Sequence, residues 1–226
     1  MCFSPVMDLT AGVTIGVVAV DTLRRVRRPQ ELPLALLPLV FAVHQLIEAF
    51  VWWGLDGTVS ATVGHRAEWL YLVVAFGLLP VLVPFAVDAL EPATRRWRTS
   101  VFVVLGTVVA ALLTSAVVRG PIAAVVEGHH VDYQVDLWHG DTLVVLYVLA
   151  TCGSMLVSDH PHVRAYGLVN LAAVGTLAWI DQSAFVSLWC LWAAITSVLI
   201  NLHLRFAPQE TSADRARTGT TRAAGR

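Results

Sequence analysis

Residues 32–55 read LPLALLPLVFAVHQLIEAFVWWGL, twenty-four residues whose only ionisable side chains are His44 and Glu48. A helix of that length rises about 36 Å, enough to cross a hydrocarbon core of roughly 30 Å. An ionisable group inside such a run is costly in lipid and turns toward the interior of a bundle. The stretch therefore predicts a transmembrane helix with one polar face.

Similar apolar runs flank it, near Leu9–Leu23, Trp69–Ala89, Ser100–Val118, Thr142–Ser158, Val163–Ile180 and Ala184–Leu204. Together they predict an all-α, polytopic transmembrane helical bundle of about seven spans over residues 1–207. The first and fifth runs are short, which leaves a six-span bundle as the alternative. Residues 208–226 are rich in Thr, Ala, Gly and Arg without an apolar period, and read as a disordered cytoplasmic tail. Composition points the same way: 57% of residues are hydrophobic and 14% charged, with a mean hydropathy of +0.69. The implied partner is the lipid bilayer of the plasma membrane, crossed several times; no nucleic acid is expected, and no protein partner is indicated.

All fifteen basic residues are arginine. Without a lysine amine there is no retinal or other Schiff-base chemistry. The arginines also set an orientation, because cytoplasmic loops keep basic residues. Arg24, Arg25, Arg27 and Arg28 follow the first run, Arg95, Arg96 and Arg98 the third, Arg164 the fifth, and Arg205 with the tail the seventh. Only Arg66 and Arg119 fall on the opposite side. The N-terminus is thus expected outside and the C-terminus in the cytoplasm. The longest outer connection, Arg119 to Gly140, holds Glu127, His129, His130, Asp132, Asp136 and His139 and reads as an acidic loop.

Several features point inward. Pro80 and Pro84 lie four apart in the third run, where each removes a backbone donor and frees a carbonyl, so a kink or cavity is expected. Tryptophans at run ends, Trp53, Trp69 and Trp138, suit an interfacial belt, whereas Trp189 and Trp192 lie deeper and could wall a pocket. Glu48 follows His44 by one helical turn, about 6 Å along the axis, with Gln45 on the adjoining flank and Trp52 one turn further out. Glu48 sits about 10 Å in from Leu55. Cys190 reaches a similar level on the last run, with Ser187 a turn shallower, Trp189 beside it, and Cys2 and Ser4 at the outer mouth. One outer-leaflet pocket follows, with Glu48, Cys2 and Cys190 as candidate catalytic groups. Gln45, Trp52, Ser187 and Trp189 are its candidate binding groups, and Glu48, Cys190 and His44 the candidate ligands of a divalent metal. Haem is not expected, since His44 and His203 lie at different depths.

The opening Met1-Cys2-Phe3-Ser4, the Leu32-Pro33 start of the second run with Gln45, Glu48 and Trp52, and the closing Ser187-x-Trp189-Cys190-x-x-Ala193-Ala194 with His203 resemble the DUF6629 family of bacterial multi-pass membrane proteins. The resemblance spans essentially the whole chain. It implies a seven-helix fold, brings no assigned activity, and places Gln where this chain has His44. A topological likeness to the alkaline ceramidases would imply a three-histidine zinc site. The late-helix His-x-x-x-His pair is missing, so no zinc ligand is carried over.

Three function classes are left: a metal-dependent membrane enzyme, placed first because two cysteines converge on the level of Glu48; a small-solute or proton-coupled transporter; and a sensor or assembly subunit. The topology is directly testable. A reporter fused after Arg205 should read cytoplasmic and one inserted near Asp132 extracytoplasmic, and the reverse pair of signals would overturn the orientation.

Overall fold

The computed structural model describes residues 4–127, 130–180, 195–202 and 205. Helix α1 runs Pro5–Arg24; a 3-10 turn, Pro29–Glu31, leads into α2, Leu32–Leu55. A rod follows, made of α3 (Ala61–Leu72), a π-helical segment (Val73–Leu78) and α4 (Leu79–Leu90). Then come α5 (Trp97–Arg119), strands β1 (Ile122–Glu127) and β2 (His130–Val135), α6 (Gly140–Leu156) and α7 (Pro161–Ile180). Residues 195–202 are again helical. Each of the first six expected runs falls on a helix. The seventh lies largely outside the described residues, as do residues 208–226.

Among the described residues, four helical rods are long and apolar enough to cross a membrane: Pro5–Arg24, Pro29–Leu55, Ala61–Leu90 and Trp97–Arg119. Helix α6 is apolar but shorter, at 17 residues. The outside of the bundle is as apolar as its inside. Val101, Val104, Val108, Leu112 and Val118 form an exposed face on α5, and Val6, Val13 and Val17 do so on α1. Water would penalise such a surface and lipid does not.

Helix α2 is the central element, burying residues around most of its circumference from Leu34 to Trp52. The main core joins Leu34, Leu37 and Phe41 of α2 to Ile15 of α1, to Leu79, Val83 and Val87 of α4, and to Met155 of α6.

Pro80 and Pro84 produce the expected distortion, and its form is specific. The Leu79 N–H bonds the Val74 carbonyl, five residues back, and Pro80 has no N–H to give. The Ala75 carbonyl thereby loses both amides that could reach it. The Tyr147 hydroxyl of α6 donates to it at 3.1 Å. Pro84 in turn strips the Pro80 carbonyl of its helical donor, and Gly106 of α5 packs directly on that oxygen. A methyl group at position 106 would drive into it.

The outer connection departs from expectation. Rather than an irregular acidic loop it is an antiparallel hairpin, pairing Ile122 with Val135, Ala124 with Tyr133 and Val126 with Val131. The alternation of Val131, Tyr133 and Val135 with Asp132 and Gln134 has the two-residue period of a strand, and the acidic residues fall on its other face.

At the arginine-rich end the connections are tied together. Glu91, 4% exposed, accepts from the Ser158 hydroxyl and from the Asp159 N–H at 3.0 Å. Asp159 pairs with Arg95 at 2.9 Å and Arg98 at 3.4 Å, and Asp88 accepts from Thr99 at 2.7 Å and Ser100 at 2.9 Å. Residues 195–202 dock beside α1 through Asn201, which donates to Asp21 at 2.8 Å and Thr22 at 3.0 Å.

The Ala75 carbonyl gives a stability test. Tyr147→Phe keeps the ring and removes the one side-chain donor to that carbonyl among the described residues, so it should destabilise the detergent-solubilised protein by about 1–3 kcal/mol. An unchanged unfolding transition would show that another donor serves that carbonyl.

Candidate functional site

Helix α1 buries one narrow stripe, Asp8, Gly12, Ile15, Ala19 and Thr22, in alternating steps of four and three residues. That is the period of a helix seam, and it lays Asp8 against α2. The start of α1 is fixed locally: Ser4 caps it by accepting from the Met7 N–H at 3.3 Å, and Pro5 occupies its first turn. Asp8 is therefore held one turn inside a helix end, 1% exposed.

On α2 the residues His44, Gln45 and Glu48 are equally removed from solvent, at 2%, 1% and 0% exposure. The carboxyls of Asp8 and Glu48, on neighbouring helices, lie within electrostatic reach of one another. Two carboxyls in apolar surroundings share a proton or a cation more readily than they carry two charges.

Aromatic rings enclose the pair. Tyr71 of α3 stacks on His44 with ring centroids 3.9 Å apart and planes 17° from parallel, and its hydroxyl is turned toward Glu48. Tyr133 of β2 stacks on the far side of Tyr71 at 4.4 Å and 9°. The α2–α3 turn permits this approach because Gly54 and Gly64 meet backbone to backbone; a Cβ on Gly64 would lie 2.7 Å from the Gly54 Cα. Trp52 directs its indole toward Asp8 without completing a full hydrogen bond. Burial pushes the Tyr133 hydroxyl well above its ordinary range, and Tyr71, Glu48 and Asp8 push it the same way, so it stays a neutral phenol.

Polar atoms here are left over. Both Asp8 oxygens, His44 Nδ1, Trp52 Nε1 and the Tyr133 hydroxyl are buried without a hydrogen-bond partner among the described residues. Each orphan of this kind costs free energy that a purely structural site would avoid.

Of the residues singled out in the sequence, Glu48, Gln45, His44 and Trp52 converge. Cys2, Ser187, Trp189, Cys190 and His203 lie outside the described residues. Cys152 accepts from the Asn170 amide at 3.3 Å between α6 and α7. Three members were not foreseen: Asp8, Tyr71 and Tyr133. Asp8 was legible as the outermost member of the stripe Gly12, Ile15, Ala19, Thr22, once the first helix is started at Pro5 instead of Leu9. Tyr71 and Tyr133 come from other elements and carry no local signal that pairs them.

Among the described residues no three His, Cys, Asp or Glu side chains converge as a metal-ligand set.

Apolar rods around a buried acidic pair define a helical membrane protein with a polar site inside the bundle. The chain belongs to DUF6629, a family of unknown function, whose model matches residues 1–216. No curated protein and no solved structure matches it.

Orphaned polar atoms predict a trade between stability and function. Asp8→Leu removes two unsatisfied oxygens and should leave thermal stability in detergent unchanged or raised by about 1 kcal/mol or more. A loss of that size would instead assign Asp8 a structural role.

Proposed function

We propose that this chain is a multi-pass protein of the plasma membrane, with about seven spans, its N-terminus outside and its C-terminus cytoplasmic. In this reading Asp8 and Glu48 form a proton-loading pair that couples to movement of a small polar solute. The observation that carries the proposal is the burial of two carboxyls from different helices within electrostatic reach of one another, with Asp8 lacking any hydrogen-bond partner among the described residues. A carboxyl pair that shares a proton needs no cavity to bind it, which suits a site packed this tightly.

Three further features support a moving proton. The Tyr71 hydroxyl and His44 Nδ1, which has no partner among the described residues, can donate or accept along a relay beside the pair. The π segment begins two residues after Tyr71, and breaks in regular helix are common at functional sites in membrane transporters. The arginine segregation puts the site in the outer half of the bilayer.

The metal-dependent enzyme is the competing reading. It would need Cys2 and Cys190 to join Glu48 and His44, and stoichiometric metal in purified protein, lost in Glu48→Gln, would favour it. The proton reading is tested by infrared titration in lipid. A carboxyl band that responds to pH should be present in the wild type and should lose most of its amplitude in Glu48→Gln and in Asp8→Asn. If neither substitution alters the pH-dependent carboxyl signal, the pair does not exchange a proton.

A further inference from the structure

We infer that the β1–β2 hairpin is a hinged lid and that Tyr133 is its latch, closing the Asp8–Glu48 site from the hairpin end. This deepens the reading above by assigning the route along which the site meets water.

A two-stranded hairpin has little stability of its own in water, so what holds it down is what it touches. Its hold on the bundle is small: Val131 and Ala124 pack with Val51, Trp52 and Ala67, and Tyr133 stacks on Tyr71. The other face is turned outward, with Val125 45% exposed, and even on the inward face Val126, opposite Val131, is 45% exposed. The Tyr133 hydroxyl makes no hydrogen bond among the described residues. The latch is therefore a stacked ring without a polar bolt.

Both ends of the hairpin break from helical backbone. The α5 helix ends into Gly120, which is extended, followed by Pro121. On the other side His139 adopts the left-handed conformation, with φ at 55°, immediately before Gly140 opens α6. Neither junction continues a helix into the hairpin, so the two strands can move as a unit without unwinding α5 or α6.

Two opposing terms act on the lid. Closing the lid buries the hairpin's apolar face and completes the His44–Tyr71–Tyr133 stack. It also leaves the Asp8 oxygens and His44 Nδ1 without partners among the described residues, a cost that water admitted from the hairpin end would reduce. A closed state gaining apolar contacts and an open state gaining hydration is the arrangement of a populated opening equilibrium.

Access can be measured without assuming any transport. The full-length protein in lipid vesicles is exposed to a water-soluble carbodiimide with an amine nucleophile, and labelling of Asp8 and Glu48 is followed by peptide mass. Tyr133→Ala should be labelled about tenfold faster than wild type, the change in open population expected from losing an aromatic stack. Tyr133→Phe, which keeps the stack, should behave as wild type. Tying the lid down by joining Ala67→Cys to Ala124→Cys with a short bifunctional thiol reagent should slow labelling below wild type. Equal labelling of Tyr133→Ala and wild type, with both eluting as intact protein, would overturn the lid. If Tyr133→Ala does not fold, the tied protein decides: labelling as fast as in its untied form would overturn it as well. Because the carbodiimide reads access alone, the infrared titration can fail while the lid stands, and the lid can fail while the titration succeeds.

Discussion

Hydrocarbon offers no hydrogen-bond partner, so every polar group carried into this bundle must find one in the protein or be left at a cost. The structure is organised around that constraint. Pro80 and Pro84 would each strand a carbonyl, and another helix meets each: the Tyr147 hydroxyl donates to the Ala75 oxygen, while Gly106, having no side chain, lets α5 pack closely over the Pro80 oxygen. The packing of α4 between α5 and α6 is therefore specified by backbone chemistry as much as by apolar fit. Leu79, Val83 and Val87 supply the fit, and the carbonyls supply the register.

The two ends of the bundle treat the constraint differently. At the arginine-rich end Asp88 and Glu91 are buried carboxylates whose oxygens are met by Thr99, Ser100, Ser158 and a backbone N–H. The exposed pairs of Arg95 and Arg98 with Asp159 add little by themselves, since solvent screens them, but they fasten two connections that already share Glu91. At the hairpin end Asp8, His44 and Trp52 are as deeply buried and keep atoms without a partner among the described residues. One chain thus solves the same problem fully in one place and leaves it unsolved in another. Packing alone does not account for that difference, whereas a site that exchanges a proton requires groups that are not already committed.

Much of this was legible in the sequence. The bounds of α2 could be read from Leu32–Leu55 because twenty-four residues with two ionisable groups have no other stable place than a membrane-spanning helix. Glu48, His44, Gln45 and Trp52 followed from one-turn spacing. The hairpin was not seen, since a run containing Glu127, His129, His130, Asp132 and Asp136 looks like a solvated loop until its alternate residues are read as a second set. Asp8 was missed for a related reason: hydropathy begins the first helix at the first apolar run, and Asp8 precedes it. Tyr71 and Tyr133 are brought together from residues 62 positions apart in the chain, and one sequence holds no local trace of such a pairing.

The π segment explains why a single rod can serve both the site and the core. Buried positions on α3 include Gly64, Ala67 and Tyr71. Continued in regular α-helix, that rhythm would bury Ala75, Leu78, Leu82 and Phe85. Leu78 and Phe85 are instead exposed, at 42% and 47%, while Leu79, Val83 and Ala86 are buried. Leu79, Val83 and Ala86 each fall one residue after the projected positions 78, 82 and 85, which is the effect of one inserted residue and turns the face by about 100°. Before the insertion the rod faces α2 and sets Tyr71 on His44; after it the rod faces the core and sets Pro80 on Gly106. The same insertion takes the Leu79 amide from Ala75 and creates the vacancy that Tyr147 fills. Regular helix throughout would have to give up either the Tyr71 stack or the Leu79, Val83 and Ala86 face, so the distortion is what allows a polar site and an apolar core to share one helix.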